Sequence, residues 1–262
     1  MDHREFVTEA RRRLVGAIVE RRSGHLCSSL SAIDLICTVL MRDWDAELRQ
    51  LRSDIVLSKG HAAPAYYAAL SLLDPQLPPL YGRLRRLHEP YQGHPTRGSM
   101  VHIPVSTGSL GLGLAWGVGR AIGLEREGSS RRVIVIMSDG ELQAGLSFEA
   151  ILLAARERPA LLTILVDSNG WQTDGPVRID PPGILRGIGV SVQVIDGHSS
   201  DEIGEALAYY ASTGPAAIVA RTQRCAGLPD RYRRGPELYG EQITEVDAEV
   251  LTAAVDRRVV EK

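Results

Sequence analysis

Two hydrophobic patterns alternate along the chain. Short apolar runs that end in polar turn residues, such as 132–137, predict buried parallel strands. Stretches with helical spacing of apolar residues, such as 145–157, predict helices that pack by one face. The predicted strands are 54–58, 132–137, 160–166, 191–195 and 216–220, and the predicted helices are 4–21, 31–42, 62–73, 109–125, 145–157, 200–211 and 245–258. This alternation predicts an α/β fold with a doubly wound, mainly parallel sheet.

Polar residues follow two neighbouring predicted strands. Asp139 lies in the sequence Ser-Asp-Gly-Glu directly after strand 132–137, and Asn169 follows strand 160–166. The carboxyl ends of adjacent parallel strands meet at one edge of a sheet, where ligands of such folds gather. A carboxylate and an amide oxygen suit Mg²⁺, which takes oxygen ligands from protein, phosphate and water. The alternative is that Asp-Gly and Asn-Gly are ordinary turn dipeptides.

A glycine-rich segment precedes the body of the predicted helix 109–125. Such a turn exposes backbone N–H groups and the positive end of the helix dipole, both of which favour phosphate. Gly108, Ser109 and Leu110 are therefore candidate contacts for a diphosphate, together with Gly140 and Glu141 beside the proposed metal ligand.

Four histidines each follow a glycine, namely His25, His61, His94 and His198. Imidazole both donates and accepts protons near neutral pH, so these side chains are candidates for acid and base roles. For any one of them alone, the alternative is an ordinary loop residue.

Composition excludes some function classes. The 262 residues are 44% hydrophobic and carry a net charge of −2, and we expect one domain over 1–262 that does not bind nucleic acid. No apolar run approaches the ~20 residues of a membrane span, and the amino terminus lacks a signal-peptide core, so a cytoplasmic location without membrane contact is expected. Cys27, Cys37 and Cys225 show no metal-site spacing and are expected to be reduced thiols.

Six motifs occur in the order found in the transketolase family, and the chain resembles in particular the amino-terminal chain of the split, two-polypeptide form. They are Ser23-Gly24-His25, Leu57-Ser58-Lys59-Gly60-His61-Ala62, Gly93-His94-Pro95, Ser106-Thr107-Gly108-Ser109-Leu110-Gly111, the Asp139 and Asn169 segments, and Asp196-Gly197-His198. The resemblance covers nearly the whole chain and implies a thiamine-diphosphate-binding fold, specifically its diphosphate-binding domain.

The resemblance also implies roles for single residues. Asp139, Asn169 and the carbonyl of Trp171 would hold Mg²⁺ on the diphosphate of thiamine diphosphate. His25, His61, His94 and His198 would line the funnel to the thiazolium carbon, and His61 and His198 would also contact the cofactor. The two-carbon unit would come from a sugar-phosphate substrate.

A second polypeptide is implied as well. In the family, a further domain holds the aminopyrimidine and supplies a glutamate to its ring. The resemblance implies that a C-terminal subunit carries this pyrimidine-binding domain in an α2β2 heterotetramer. Residues 224–242, rich in Arg, Pro, Gly and Tyr, are expected to form an arm that meets this partner, with a surface loop as the alternative.

Three departures from the family pattern occur in the chain. Ser138 stands where the family commonly has Gly, Ala144 stands where a glutamate links the two active sites, and 221–227 replaces a segment rich in Lys and Gly. Either the partner compensates for Ala144, Glu141 acts through water, or communication between the sites is lost.

Three hypotheses of function follow. The first is a two-carbon ketol transferase that moves a unit from a ketose phosphate to an aldose. The second keeps the same donor half-reaction but delivers the unit to a carrier-bound acceptor in specialised biosynthesis. The third is a non-catalytic regulatory subunit with the same fold, in which Asp139→Ala would leave the activity of the complex intact.

Overall fold

Helices and strands alternate through most of the chain. The computed structural model describes residues 1–210, 215–233 and 238–257. The helices are α1 (His3–Arg21), α2 (Leu26–Asp43), α3 (Ala63–Leu73), α4 (Leu112–Arg126), α5 (Gly145–Glu157), α6 (Pro181–Ile188), α7 (Ser200–Tyr209), α8 (Asp230–Arg233) and α9 (Glu245–Arg257). The strands are β1 (Trp44–Asp45), β2 (Gln50–Leu51), β3 (Asp54–Leu57), β4 (Val133–Ser138), β5 (Leu162–Ser168), β6 (Trp171–Gln172), β7 (Gly175–Pro176), β8 (Ser191–Asp196) and β9 (Ala216–Arg221).

A parallel sheet forms the centre of the fold. Its strand order in the described residues is β3-β4-β5-β9-β8, and every neighbouring pair in it is parallel. The short pairs β1 with β2 and β6 with β7 are antiparallel hairpins outside this sheet. The predicted α/β fold with a parallel sheet is confirmed. Because all its strands point the same way, the segments that follow β3, β4, β5, β8 and β9 gather at one edge.

Apolar residues on the two faces of the sheet enter two separate cores. Ile134 and Ile136 of β4 pack into the core formed with α1, α2 and α3, whereas Val133 and Val135 pack into the core formed with α4 and α5. Alternate residues of a strand point to opposite faces, so a strand covered on both sides is apolar throughout. This explains why β4 reads as a continuous hydrophobic run.

The larger differences from the predicted helices are at α2, α4 and α6. Helix α2 begins at Leu26 rather than near residue 31, and α4 begins at Leu112 rather than at 109. Gly111 has φ of 83°, which keeps the preceding turn outside the helix. Helix α6 was not predicted, because its Pro-Pro start resembles a loop, although proline is well suited to the first helical turn. Residues 211 and 258 of two predicted helices lie outside the described residues.

The described parts of the predicted arm pack on their own chain. The backbone N–H of Leu26 donates to the carbonyl of Leu238 at 3.1 Å, and the N–H of Gly240 donates to Gly24 at 3.0 Å. His25 and Tyr239 form an isolated antiparallel bridge. Residues 234–237 of the arm lie outside the described residues, and its contact with a partner stays a prediction.

The expectation of three reduced thiols is wrong for two of them. Cys27, at the start of α2, and Cys225, in the loop after β9, are joined by a disulfide across 198 positions of sequence. The fold brings these segments together, as the hydrogen bond from the N–H of Cys225 to the carbonyl of Cys27 also shows. Cys37 is free and buried.

A helix must be long and apolar to cross a membrane. Across the described residues, no helix combines the length and apolar character needed to cross a bilayer.

Candidate functional site

A cleft of about 500 Å³ opens at the edge of the sheet where the parallel strands end. It brings together eight of the predicted site residues, which are His25, His61, His94, Leu110, Gly140, Glu141, Asn169 and Trp171. Asp139 lies directly behind this lining, between Ser138 and Gly140, which both face the cleft. A separate open groove of about 620 Å³, beside Trp116 and Arg120, contains none of the predicted site residues.

Three histidines form one wall of the cleft. His25 is the residue before α2, and His61 lies in a single 3₁₀ turn before α3. Their ring centroids are 5.5 Å apart, and the ring of Tyr239 meets His25 edge-on at 5.0 Å. The ring of His94 packs against Gly108, where an added Cβ would lie 3.0 Å from the imidazole. The fold therefore places three of the four predicted histidines around one space.

Burial favours the neutral form of two of these histidines. Desolvation, followed by the nearby charge of Lys59, holds the pKa of His61 well below 6.5. Desolvation also lowers the pKa of His94, with a smaller contribution from Arg85. A neutral imidazole can accept a proton at neutral pH, which is what a base in this cleft would need.

Asp139 is a buried carboxylate at the end of β4. Its Oδ1 accepts from the N–H of Gly140 at 2.8 Å, and its Oδ2 accepts from the N–H of Gly170 at 2.7 Å. Desolvation, and then repulsion from Asp167, raise the pKa of Asp139 to about 6 although both N–H groups oppose the shift. A cation at this carboxylate would offset both unfavourable effects.

Asn169 lies beside Asp139, as the prediction from adjacent strand ends requires. Its Oδ1 accepts from the N–H of Trp171 at 2.9 Å, and its Nδ2 donates to Ser31 Oγ at 3.0 Å. The loop 169–171 is joined to Asp139 through Gly170, so an amide oxygen and a carboxylate are supported by one short stretch of backbone.

This donor set fits Mg²⁺ in the presence of a diphosphate. No group of three or more His, Cys, Asp or Glu side chains that could hold a metal is found in the part of the chain that the structure describes. Mg²⁺ does not require such a group, because it commonly uses one or two protein oxygens and fills its octahedron with phosphate and water. Asp139 and Asn169 would be the side-chain ligands.

The carboxylate of Glu141 supports the glycine-rich segment through hydrogen bonds. Its Oε1 accepts from Ser58 Oγ at 2.5 Å and from the backbone N–H of Gly111 at 2.8 Å. The side chain is buried, and desolvation raises its pKa. Ala144 lines the same cleft without an ionisable group. Glu141 thus already accepts from Ser58 and from Gly111. It would have to keep these contacts while acting in place of the glutamate that the family pattern has at the position of Ala144.

Two of the candidate cofactor contacts lie at the margin. Ser109 is exposed and does not line the cleft, while Gly108 contacts His94 and lies against Gly60. An added Cβ on Gly60 would lie 2.9 Å from the backbone of Gly108, so these two segments are in close contact.

His198 does not line the cleft. Its Nδ1 contacts Oδ2 of Asp34 at 2.5 Å, and its Nε2 accepts from the backbone N–H of Gln223 at 2.9 Å. Asp34 is paired with Arg11 as well. Burial raises the pKa of Asp34, but the charge of Arg11 and the hydrogen bond from His198 together hold it far below its usual range. In this structure His198 links α2 to the loop after β9.

Several cleft residues were not predicted. They are Ser28, Lys59, Gln143, Gln172, Thr173, Asp174, Arg224 and Tyr239. Lys59 gave one signal, since it is the only lysine before residue 262 and lies within a recognised motif. Arg224 and Tyr239 lie far from the other cleft residues in the sequence, so no local spacing reveals them. The guanidinium carbon of Arg224 is 5.1 Å from the ring centroid of Trp171.

Comparison with known proteins defines the class. Residues 3–234 match the family "Transketolase, thiamine diphosphate binding domain". The fold is shared with the transketolase of Leishmania mexicana, at a TM-score of 0.75 and 22% identity over 98% of this chain and 45% of that one. The transketolase of Campylobacter jejuni gives a TM-score of 0.74 at 24% identity over 97% of this chain and 45% of that one.

Two relatives in sequence are themselves transketolase subunits. The 6-deoxy-6-sulfo-D-fructose transketolase subunit SqwG of Clostridium sp. (strain MSTE9) is 33% identical over 215 residues, which cover 78% of each protein. One of the subunits of the apulose-4-phosphate transketolase of Actinobacillus succinogenes is 29% identical, again over 78% of each protein. By contrast, the chain covers 40% of human transketolase-like protein 2, at 28% identity over 90% of its own length.

The chain belongs to the transketolase family and carries its thiamine-diphosphate-binding domain. The resemblance inferred from the six motifs is confirmed, and the family is one of thiamine-diphosphate-dependent transferases.

Proposed function

We propose that this chain is the amino-terminal subunit of a two-chain transketolase that moves a two-carbon ketol unit from a ketose phosphate to an aldose. The observation that carries the proposal is the cleft, in which His25, His61 and His94 face the strand ends that bear Asp139 and Asn169. Thiamine diphosphate, when bound, supplies the electron sink that such chemistry requires.

Residues in different parts of the cleft would have different roles. Asp139 and Asn169 would hold Mg²⁺ through oxygen, and the carbonyl of Trp171 is the proposed third protein ligand. The N–H groups of the glycine-rich segment, with Gly140, would face the diphosphate. Because burial keeps His61 and His94 neutral, they can accept protons from substrate hydroxyl groups and return them.

A second subunit would complete the site. Two sequence relatives of similar length are named as transketolase subunits, and the solved transketolases continue well beyond the part that this chain covers. The proposal is that a C-terminal subunit contributes the pyrimidine-binding domain in an α2β2 heterotetramer, and that neither chain is active alone. A cytoplasmic location stays a prediction.

Affinity isolation tests the two-chain proposal. A tagged full chain is isolated from its native cells, and native mass spectrometry reads the mass of the complex and its bound cofactor. We expect a second chain in equal amount and thiamine diphosphate in the complex. A cofactor-free chain with no partner would contradict the proposal.

Variants of the isolated complex then test the cation site. Asp139→Ala is expected to abolish magnesium-dependent retention of thiamine diphosphate, and Asn169→Ala to do the same. The control is Asp180→Ala, which changes an exposed aspartate outside the cleft. Full cofactor occupancy in both site variants would overturn the assignment, and unchanged activity in Asp139→Ala would favour the regulatory-subunit hypothesis.

Transfer assays distinguish the acceptors. Activity with aldose acceptors supports the proposed reaction, whereas acylation of a carrier protein without aldose activity would support delivery to a carrier-bound acceptor.

A further inference from the structure

The carboxylate of Asp167, at the end of β5, is the centre of a buried hydrogen-bond network behind the cleft. Ser31 Oγ lies 3.0 Å from both of its oxygens, and the Lys59 ammonium and the Thr222 hydroxyl also donate to it. Asp167 has no exposed surface, and Lys59 is 2% exposed. Four separate segments of the chain therefore meet at one carboxylate that does not line the cleft.

The chemistry of these groups fixes the direction of each hydrogen bond. The carboxylate of Asp167 accepts in each of these contacts, because the Lys59 ammonium and the hydroxyls of Thr222 and Ser31 all donate to it. Ser31 has a single hydroxyl hydrogen, so a Ser31 that donates to Asp167 can only accept from any further partner. Ser31 Oγ has two further neighbours, Thr222 Oγ1 at 3.1 Å and Asn169. The Thr222 hydroxyl donates its own hydrogen to Asp167, and Asn169 must present its NH₂ group and not its oxygen to Ser31.

The other end of the Asn169 amide agrees with this direction. Its Nδ2 lies 3.0 Å from Ser31 Oγ, and its Oδ1 accepts from the N–H of Trp171 at 2.9 Å. A half-turn of the amide would bring Nδ2 against the N–H of Trp171, which is a contact between two donors. The network thus keeps the amide oxygen on the side of the Trp171 N–H.

We infer that Asp167 is a positioning residue that orients the amide oxygen of Asn169 toward a divalent cation, acting through the hydroxyl of Ser31. This inference rests on the proposed cation site at Asp139 and Asn169. The Asp167 carboxylate is ion-paired with Lys59 and does not line the cleft, so it would act on the cation site only through Ser31.

Asp167→Asn tests this role with almost no change in size. An amide at 167 can donate to Ser31, and Ser31 can then donate to the oxygen of Asn169. Ser31 then no longer opposes the reversed amide, and only the N–H of Trp171 still favours the original orientation. Thr222→Val is the control, because it removes the Thr222 hydroxyl from both Asp167 and Ser31 but leaves Ser31 donating to a carboxylate.

The readout is cation affinity and not turnover. Mn²⁺ is titrated into each full-length variant in the presence of thiamine diphosphate, and free Mn²⁺ is followed by electron paramagnetic resonance. Urea unfolding of the same samples reports stability. We expect Asp167→Asn to weaken Mn²⁺ binding at least tenfold and Thr222→Val to change it less than threefold, while both variants lose stability.

The outcomes separate the inference from the proposed function. If Asp139→Ala binds Mn²⁺ normally, the cation site is wrong and the inference is overturned with it. If Asp139→Ala abolishes binding while Asp167→Asn binds like Thr222→Val, the cation site stands and the positioning role of Asp167 is overturned.

A double variant covers the case in which Asp167→Asn alone does not fold, since it leaves the Lys59 ammonium buried without its anion. Lys59→Met with Asp167→Asn removes both charges together. Tenfold weaker Mn²⁺ binding in this folded double variant supports the inference, and affinity equal to that of the unmodified chain overturns it.

Discussion

His198 contacts Asp34 through Nδ1 at 2.5 Å while its Nε2 accepts from the backbone N–H of Gln223. The histidine that the family pattern assigns to the cofactor is engaged at both ring nitrogens by its own chain. Its side chain therefore has a structural role in this structure, because it joins α2 to the loop that carries Arg224 into the cleft.

Replacing His198 by alanine should lower stability. The variant leaves the N–H of Gln223 without its acceptor and removes one of the donors to Asp34, so we expect a loss of about 2 kcal/mol in the free energy of unfolding. Urea unfolding measures it, and His198→Gln, which can still donate to Asp34, should recover part of the loss. Equal stability of His198→Ala and the unmodified chain would contradict this role.

Replacing Glu141 by alanine should be more damaging. Gly111 N–H and Ser58 Oγ both lose a buried acceptor, and each such loss costs about 1–3 kcal/mol, which predicts a decrease of about 3 kcal/mol or more in unfolding free energy. Glu149→Ala, an exposed change on α5, serves as the control in the same urea titration. A Glu141→Ala variant as stable as this control would show that the glycine-rich segment does not depend on Glu141.

Replacing His94 by alanine should separate binding from turnover in the proposed complex. The ring faces the cleft but does not contact Asp139 or Asn169 in the described hydrogen bonds, so magnesium-dependent retention of thiamine diphosphate should be unchanged. We expect turnover to fall by about 10²-fold or more, the usual contribution of a positioned acid or base. Loss of cofactor together with turnover would assign His94 to cofactor binding instead.

Stability should fall with pH below the usual pKa of histidine. Because the pKa of His61 in the folded state is well below 6.5, the unfolded chain binds the proton first as pH drops past 6.5. The stabilisation that His61 contributes is complete above pH 6.5. It is lost as the pH falls toward the pKa of His61 in the folded state, by at most about 1.4 kcal/mol per pH unit for one proton.

His61→Gln isolates this contribution. The lowered pKa values of His94 and His3 act in the same direction. The test is therefore the difference in pH dependence of stability between His61→Gln and the unmodified chain, and not the pH dependence of either protein alone. In urea unfolding at about pH 7.5 and about pH 5.5, the variant should lose less stability than the unmodified chain. Identical losses would mean that His61 is not held neutral.

The disulfide makes a chemical prediction. Alkylation of the denatured but unreduced chain should label Cys37 alone, and peptide mapping should recover Cys27 linked to Cys225. Reduction should lower the free energy of unfolding by about 2–5 kcal/mol, since the bond closes a long loop. Labelling of all three cysteines would show that the thiols are reduced in the purified protein.

The pattern of apolar residues was enough to predict the sheet and most of its helices. Helix α5 was predicted with its observed ends, because Gly145 and Pro159 bound a clear apolar face. The family resemblance, and not the apolar pattern, predicted His25, His61 and His94 around one site with Asn169, and the cleft brings these four residues together.

Contacts between distant segments could not be predicted in the same way. The pairing of Cys27 with Cys225 and the placement of Tyr239 beside His25 depend on how the chain returns after β9. The contact of His198 with Asp34 was not predicted for a related reason, since the two residues lie 164 positions apart in the sequence.

The bridge between His25 and Tyr239 has a consequence for the order of assembly during translation. A domain forms as its segments emerge from the ribosome, amino-terminal parts first. The wall of the cleft beside His25 therefore stays open until Tyr239 has been synthesised and released, although Asp139 and Asn169 have been synthesised long before. A nascent chain stalled before residue 239 should hold the sheet without a finished cleft, which makes completion of this site one of the last events in its biosynthesis.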